Sequence, residues 1–187
     1  MSETREYFDQ VAEAWDHIRA GYFDDRVREA AIRRSDVTHE MVVADVGTGS
    51  GFMAEALAKA VKQVIAIDDS PKMLKVARQK FAEQGLTNVD FRRGNIQALP
   101  LPAASVDGVF ANMVLHHAPE PEVAIVEMAR ILKPGGLVVI TDLDTHRHEW
   151  MREELQDLWL GFERAQVASW LQDAALTHTY VEGIGLQ

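Results

Sequence analysis

Three glycines fall within five residues in "DVGTGSG", Asp45 to Gly51, between an apolar run and a stretch with helical spacing. Such a turn suits a ligand that approaches the backbone closely: Gly47 and Gly49 tolerate positive φ, and Gly51 lets a helix start tight against the strand before it. Two phosphate-binding readings fail on inspection. The dinucleotide fingerprint needs its third glycine where Phe52 stands, and no Lys-Ser/Thr pair follows to make a P-loop. Further on, "VIAIDDSPKML" closes an apolar run with Asp68. A carboxylate there can accept from both hydroxyls of a ribose and would repel a 2′-phosphate.

His116 and His117, in "ANMVLHHAPEP", are candidates for a general base near neutral pH, or else cap the helix that follows. Asp142 and Asp144, in "TDLDT", are oxygen donors of the type a divalent ion takes, but no convincing set of partners accompanies them and no metal is expected. The chain has no cysteine, which excludes disulfides, thiolate zinc sites and a cysteine nucleophile together.

These residues must be held by something, and the pattern from residue 41 supplies it. Short β-branched runs at 41–46, 64–68, 89–93, 106–112 and 137–143 alternate with helical stretches at 52–62, 71–84 and 122–132. Ser70 is placed to cap the second of these helices, Pro71 to open it and Gly85 to follow it, while "KPGG" at 133–136 ends the third. Strands alternating with helices predict an α/β fold, a doubly wound, mainly parallel sheet with helices on both faces, its first three strands buried on both sides. Ligands of such sheets lie beyond the carboxyl ends of the strands, where the glycine turn sits.

Ahead of the sheet, residues 1–40 look helical, with Phe8, Val11, Ala12 and Trp15 on one face, either covering the sheet edge or closing over a ligand. After it, His146, His148, Trp150, Trp159 and Phe162 form an aromatic-rich stretch suited to core or to the substrate side, and "THTYVEGIGLQ" leaves room for one more strand. A length of 187 residues with 47% hydrophobic content fits one domain, divided into a helical cap (1–40), a ligand-binding core (41–143) and a carboxyl-terminal part (144–187). A net charge of −10 opposes binding to nucleic acid, and Arg26, Arg28, Arg33 and Arg34 read as a solvated helix face. With no secretory leader and no apolar run near the roughly 20 residues that cross a bilayer, no membrane partner and a cytoplasmic location are expected.

In order and spacing, the motifs from about Tyr7 to Gly136 resemble the class I S-adenosylmethionine-dependent methyltransferases, and "YFDQVAEAWD" resembles the segment before the core in their ubiquinone/menaquinone-biosynthesis-like (type 11) branch. The resemblance implies a Rossmann-like fold, here without the final antiparallel strand, and an enzyme that moves a methyl group from S-adenosylmethionine to a small-molecule acceptor, leaving S-adenosylhomocysteine. The implied cofactor site is Asp45, Gly47, Thr48, Gly49, Gly51, Asp68, Asp69, Met73, Asn95, Ile96 and Asn112. In the family the residue at Met73 packs on the adenine, and an acid stands where this chain has Asn95. "NMVLHH" replaces the Asn/Asp-Pro-Pro-aromatic motif of enzymes that methylate amide or adenine nitrogens, which argues against those acceptors. The absence of cysteine argues against arsenite and 5-methylcytosine chemistry. The alternatives are a cofactor-binding module without turnover, acting as a sensor or partner subunit, and a nicotinamide oxidoreductase on fold grounds alone. A homodimer would cover an exposed sheet edge.

Overall fold

Five strands line up in the order β3-β2-β1-β4-β5, each pair of neighbours parallel, in this computed structural model, which describes residues 3–184. They are β1 (Val42–Val46), β2 (Gln63–Asp68), β3 (Val89–Arg93), β4 (Val106–Asn112) and β5 (Leu132–Thr141). Alternation along each strand divides the core in two. Val43, Val64, Ala66 and Phe110 meet Ala31, Met53, Leu57 and Phe81 on one face, whereas Ala44, Val46, Ile67, Val109 and Ala111 meet Ala124, Ile125, Met128 and Ile131 on the other.

The helices are α1 (Glu3–Val11), α2 (Trp15–Arg19), α3 (Asp25–Arg33), α4 (Phe52–Ala58), α5 (Pro71–Glu83), α6 (Pro121–Ile131), α7 (Trp150–Glu154) and α8 (Arg164–Asp173). The cap of α5 forms as its sequence predicts: Ser70 Oγ accepts from the Met73 amide at 3.0 Å, with Pro71 in the first turn. The N-terminal helices are fastened across the top of the sheet. Ser70 Oγ donates to Asp9 and Ser50 Oγ to Asp16, both at 2.6 Å, and Lys80 lies 3.2 Å from Asp16 and 3.3 Å from Glu55.

Three expectations are corrected. The first is β3, which is an edge strand and only half-buried, so the doubly buried strands are β1, β2 and β4. Its solvent side carries the Asp90–Arg92 ion pair at 2.8 Å, charge that blunts an open edge. Next, β5 begins at Leu132, directly after α6, not at 137. Its register jumps from Val106–Leu132 to Gly108–Leu137, so "KPGG" is absorbed as an irregularity inside the strand, with Gly135 at φ +79°. Finally, Thr177–Ile184 form no strand, and the rest of the strand expected at the end of the chain falls outside the described residues. Among the described residues no helix is long and apolar enough to cross a membrane.

Candidate functional site

The strand order reverses at β1 and β4, which opens a crevice above their carboxyl ends. The glycine turn enters it. Amides of Gly47 and Thr48 both donate to the Ile67 carbonyl, at 2.8 and 2.9 Å, pulling the turn over the end of β2. Gly47 lies at φ +70°, and a Cβ there would collide with Val114, which packs into the space the missing side chain leaves. Gly51, at φ +90°, starts α4 with Phe81 where its own Cβ would stand; it serves helix packing and does not border the crevice. On the facing side Met113 holds φ +52°, an uncommon conformation for a side-chain-bearing residue, its amide fixed to the Thr141 carbonyl at 2.8 Å.

Two acids form the floor. Burial raises the pKa of Asp45 to about 7, against the Thr48 hydroxyl that donates to it at 2.6 Å and the amide of Ala54. Burial also raises Asp68 to about 6, against the amides of Ser70 and Gly49 that donate to its two oxygens at 2.9 and 2.8 Å. Asp68 is surrounded by protein but opens on the crevice.

The crevice encloses about 350 Å³, within the size range of small-molecule sites. Asp45, Gly47, Thr48, Gly49, Asp68, Asp69, Met73, Asn95, Ile96 and Asn112 all border it, so the structure brings together ten of the eleven residues expected to hold a cofactor, Gly51 being the exception. Asn95 uses its amide oxygen in a local turn, accepting from the Gln97 amide at 2.7 Å, and Asn112 accepts from Thr141 Oγ1 at 2.7 Å. Phe8 and Trp15 close the top, edge to face at a centroid distance of 5.1 Å, with the Trp15 indole nitrogen above Gly49.

Arg19 borders the crevice without having been expected there. Its guanidinium lies over the Phe52 ring at 4.1 Å, and its Nε is buried without a hydrogen-bond partner. Nothing in the local sequence of α2 marks it; only the fold of the cap onto α4 brings it in.

The histidine pair separates into two environments. His116 is buried behind the wall. Its Nδ1 donates to Asp142 at 2.6 Å, and Asp142 also accepts from the amides of Val114, Leu115 and Leu143. Burial opposes charge on His116, but Asp142 and Asp157 outweigh it and its pKa rises. His117 borders the crevice, edge to face with Phe8 at 5.0 Å, and burial with the neighbouring His116 holds its pKa well below the usual histidine range. The two rings are 4.1 Å apart. Asp157, also missed from the sequence, reaches in beside them with its side chain 1% exposed. Its signal was visible as an acid between Leu155 and Leu158 in "LQDLW". Asp144, by contrast, points to solvent and pairs with Arg164 at 2.5 Å, away from Asp142's network. Of the later aromatics, Phe162 is core and Trp159 donates its indole N–H to the Ala118 carbonyl at 2.9 Å, while Trp150 is exposed.

Comparison with known proteins adds to this geometry. Residues 44–140 match the family described as "Methyltransferase domain". The chain is 29% identical over 176 residues to 2-methyl-6-phytyl-1,4-hydroquinone methyltransferase 1, chloroplastic, of Oryza sativa subsp. japonica, covering 91% of this chain and 52% of that protein. It is 38% identical over 104 residues to an arsenite methyltransferase of Halobacterium salinarum, covering 54% of this chain and 27% of that one. A solved SAM-dependent methyltransferase from Aquifex aeolicus superposes with a TM-score of 0.69 at 26% identity, covering 85% of this chain and 86% of that one. The chain spans about half the length of the phytylhydroquinone methyltransferases it matches.

Proposed function

The chain belongs to the methyltransferase-domain family, and from that premise we propose that it transfers a methyl group from S-adenosylmethionine to a small aromatic acceptor of the hydroquinone type. The carrying observation is the glycine turn joined to the acid at the end of β2, with the Gly49 amide on Asp68 at 2.8 Å beneath one crevice.

The residues fit an adenosyl ligand. Asp68 stands where ribose hydroxyls need an acceptor, Met73 and Ile96 offer apolar contact for a base, and the absent side chains of Gly47 and Gly49 let the ligand rest on backbone. Arg19, beside Phe52 and Trp15, supplies positive charge for a carboxylate at the other end of the ligand. Bound there, S-adenosylmethionine would supply an electrophilic methyl group for in-line transfer to the acceptor's nucleophile, the carbon–sulfur bond breaking and S-adenosylhomocysteine leaving. The chain's task is then chiefly to orient and to exclude water, which Phe8 and Trp15 do from above. His117 borders the acceptor side and can hydrogen-bond the acceptor, with His116 packed behind it. In this reading residues 1–40 act as a cap, 41–143 hold the cofactor and 144–187 face the acceptor.

The names of the two relatives above point to a hydroquinone and to arsenite, and this chain is equipped for the first. Trivalent arsenic is a soft centre best held by thiolates, and there is no cysteine. A hydroquinone needs an apolar crevice with hydrogen-bonding groups at its rim, which Phe8, Leu158, Asn112 and His117 provide.

The test is calorimetric titration with S-adenosylhomocysteine, NADH serving as the control, followed by a panel of hydroquinones scored for S-adenosylhomocysteine formed. Saturable binding with methyl transfer to at least one hydroquinone supports the proposal. Failure to bind the cofactor product, or preference for NADH, overturns it; binding without transfer across the panel overturns the acceptor class.

A further inference from the structure

We propose that His116, His117 and Asp157, with the carbonyl oxygen of Gln156, form a zinc site behind the acceptor-side wall of the crevice. The inference goes beyond the methyl-transfer reading and does not depend on it.

One ring nitrogen of each histidine and one carboxylate oxygen of Asp157 lie within 4.8 Å of one another. His116 Nε2 is 3.7 Å and His117 Nδ1 3.9 Å from Asp157 Oδ1, and the Gln156 carbonyl is 3.2 Å from His117 Nδ1. Tetrahedral zinc with donor distances of about 2.0–2.2 Å separates its donors by about 3.3–3.6 Å, so the two nitrogen–carboxylate distances need shorten by only a few tenths of an ångström and the widest pair by at most about 1.5 Å to close around an ion.

The second observation is Asp157 itself. Both its oxygens are buried, and neither has a hydrogen-bond partner. A carboxylate removed from water in that state is costly unless it is paired or bound to a metal. Protonation would remove the charge but leave a buried hydroxyl without a partner, because the nearest ring nitrogens lie beyond hydrogen-bond reach.

The surroundings already orient the donors. Asp142 holds the Nδ1–H of His116 at 2.6 Å, which fixes the tautomer that presents a lone pair on Nε2 toward Asp157, the arrangement that supports a metal-bound histidine. In the ion-free chain the proton of His117 Nδ1 is donated to the Gln156 carbonyl. An ion at the site requires the other neutral tautomer: the ring releases its Nδ1 proton to solvent and takes one from solvent on Nε2, so that the Nδ1 lone pair and the Gln156 carbonyl both face the ion. Two imidazoles disfavour magnesium and calcium, and the nitrogen–oxygen set is one zinc accepts.

All the donors come from protein, which marks a closed, structural site. It would fasten the Gln156–Asp157 loop to the turn after β4, a junction where the amides of Leu158 and Trp159 both already donate to the His116 carbonyl at 3.0 Å. Gln156, Leu158 and His117 border the crevice, so the ion sets the shape of its wall.

The experiment strips the full chain with a chelator, dialyses it against Zn²⁺, and measures metal content and thermal unfolding, with Co²⁺ substitution read by visible absorption. The expected result is one zinc per chain, a raised Tm reversed by chelator, and a Co²⁺ spectrum of low-coordinate nitrogen–oxygen ligation. Asp157→Asn should weaken zinc binding at least tenfold and Asp142→Asn, which removes the orienting carboxylate, by 10- to 100-fold. His146→Ala with His148→Ala, which removes the neighbouring pair of rings 5.2 Å apart, should leave it unchanged. No retained zinc in the wild-type chain overturns the proposal, as does zinc that survives Asp157→Asn but is lost when His146 and His148 are replaced. S-adenosylhomocysteine binding to the stripped chain, measured in parallel, keeps this outcome separate from that of the methyl-transfer reading.

Discussion

The amide of Gly49 donates to Oδ2 of Asp68 across 2.8 Å, while Oδ1 of the same carboxylate accepts from Ser70 at 2.9 Å. The turn after β1 and the turn after β2 are therefore one hydrogen-bonded unit before any ligand arrives. Asp68→Ala should weaken S-adenosylhomocysteine binding by about 1.5–3 kcal/mol, a lost charge-assisted hydrogen bond, and Asp68→Asn by less, because one acceptor oxygen remains. Calorimetry on both variants checks the ranking.

Gly51 lies at φ +90°, with Phe81 Cε2 2.5 Å from where a Cβ would be. Gly51→Ala should cost about 2–4 kcal/mol of stability, combining backbone strain with overpacking. Adding Phe81→Leu should recover only the overpacking part, a coupling that urea denaturation of the two single variants and the double would measure.

Stability should carry a pH signature from Asp45. Its folded pKa of about 7 lies above the ordinary 3.8, so the folded state binds the extra proton and this group's contribution falls as pH rises from about 4 through 7. Asp45→Asn removes that slope and leaves the other titrating groups in place. The difference in unfolding free energy, variant minus wild type, should grow more positive between pH 5 and 8; a flat difference would rule the assignment out.

Asp142 satisfies one imidazole and three backbone amides at the end of β5. Asp142→Ala leaves a buried histidine and those amides without their acceptor, and should destabilise the metal-stripped chain by about 3–5 kcal/mol. Chemical denaturation gives the number directly.

The helical cap is held by Asp9 on Ser70 and Asp16 on Ser50 and Lys80. Replacing both acids with alanine should expose residues 3–20 to limited proteolysis while shifting the global unfolding midpoint little, because cap opening is a local event. Equal protease resistance in variant and wild type would show that apolar contacts alone hold the cap.

Much of this site is legible in one dimension because its signals are local. Three glycines all adopt positive φ, and Ser70 and Pro71 start a helix where their chemistry says one should start. What could not be read depends on distance or on half a turn of backbone. His116 and His117 are adjacent in sequence, yet the short 3₁₀ turn at Leu115–His117 sends one ring toward Asp142 and leaves the other on the crevice wall. Arg19 and Asp157 reach the site only because the cap and the segment after α7 fold over the strand ends. The early start of β5 was hidden by "KPGG", whose glycines end a helix in isolation but here bend a strand held by β4.

Val114 occupying the place of the missing Gly47 side chain carries a consequence for how such proteins diversify. The two residues meet where the turns after β1 and β4 converge, one on the turn that would bind the cofactor and one ahead of the histidines. Neither can drift alone: a side chain at 47 demands a smaller neighbour at 114, and glycine at 114 would leave a hole above 47. Descendants that acquire new acceptors should accordingly vary freely after residue 144 while inheriting this pair as a single character.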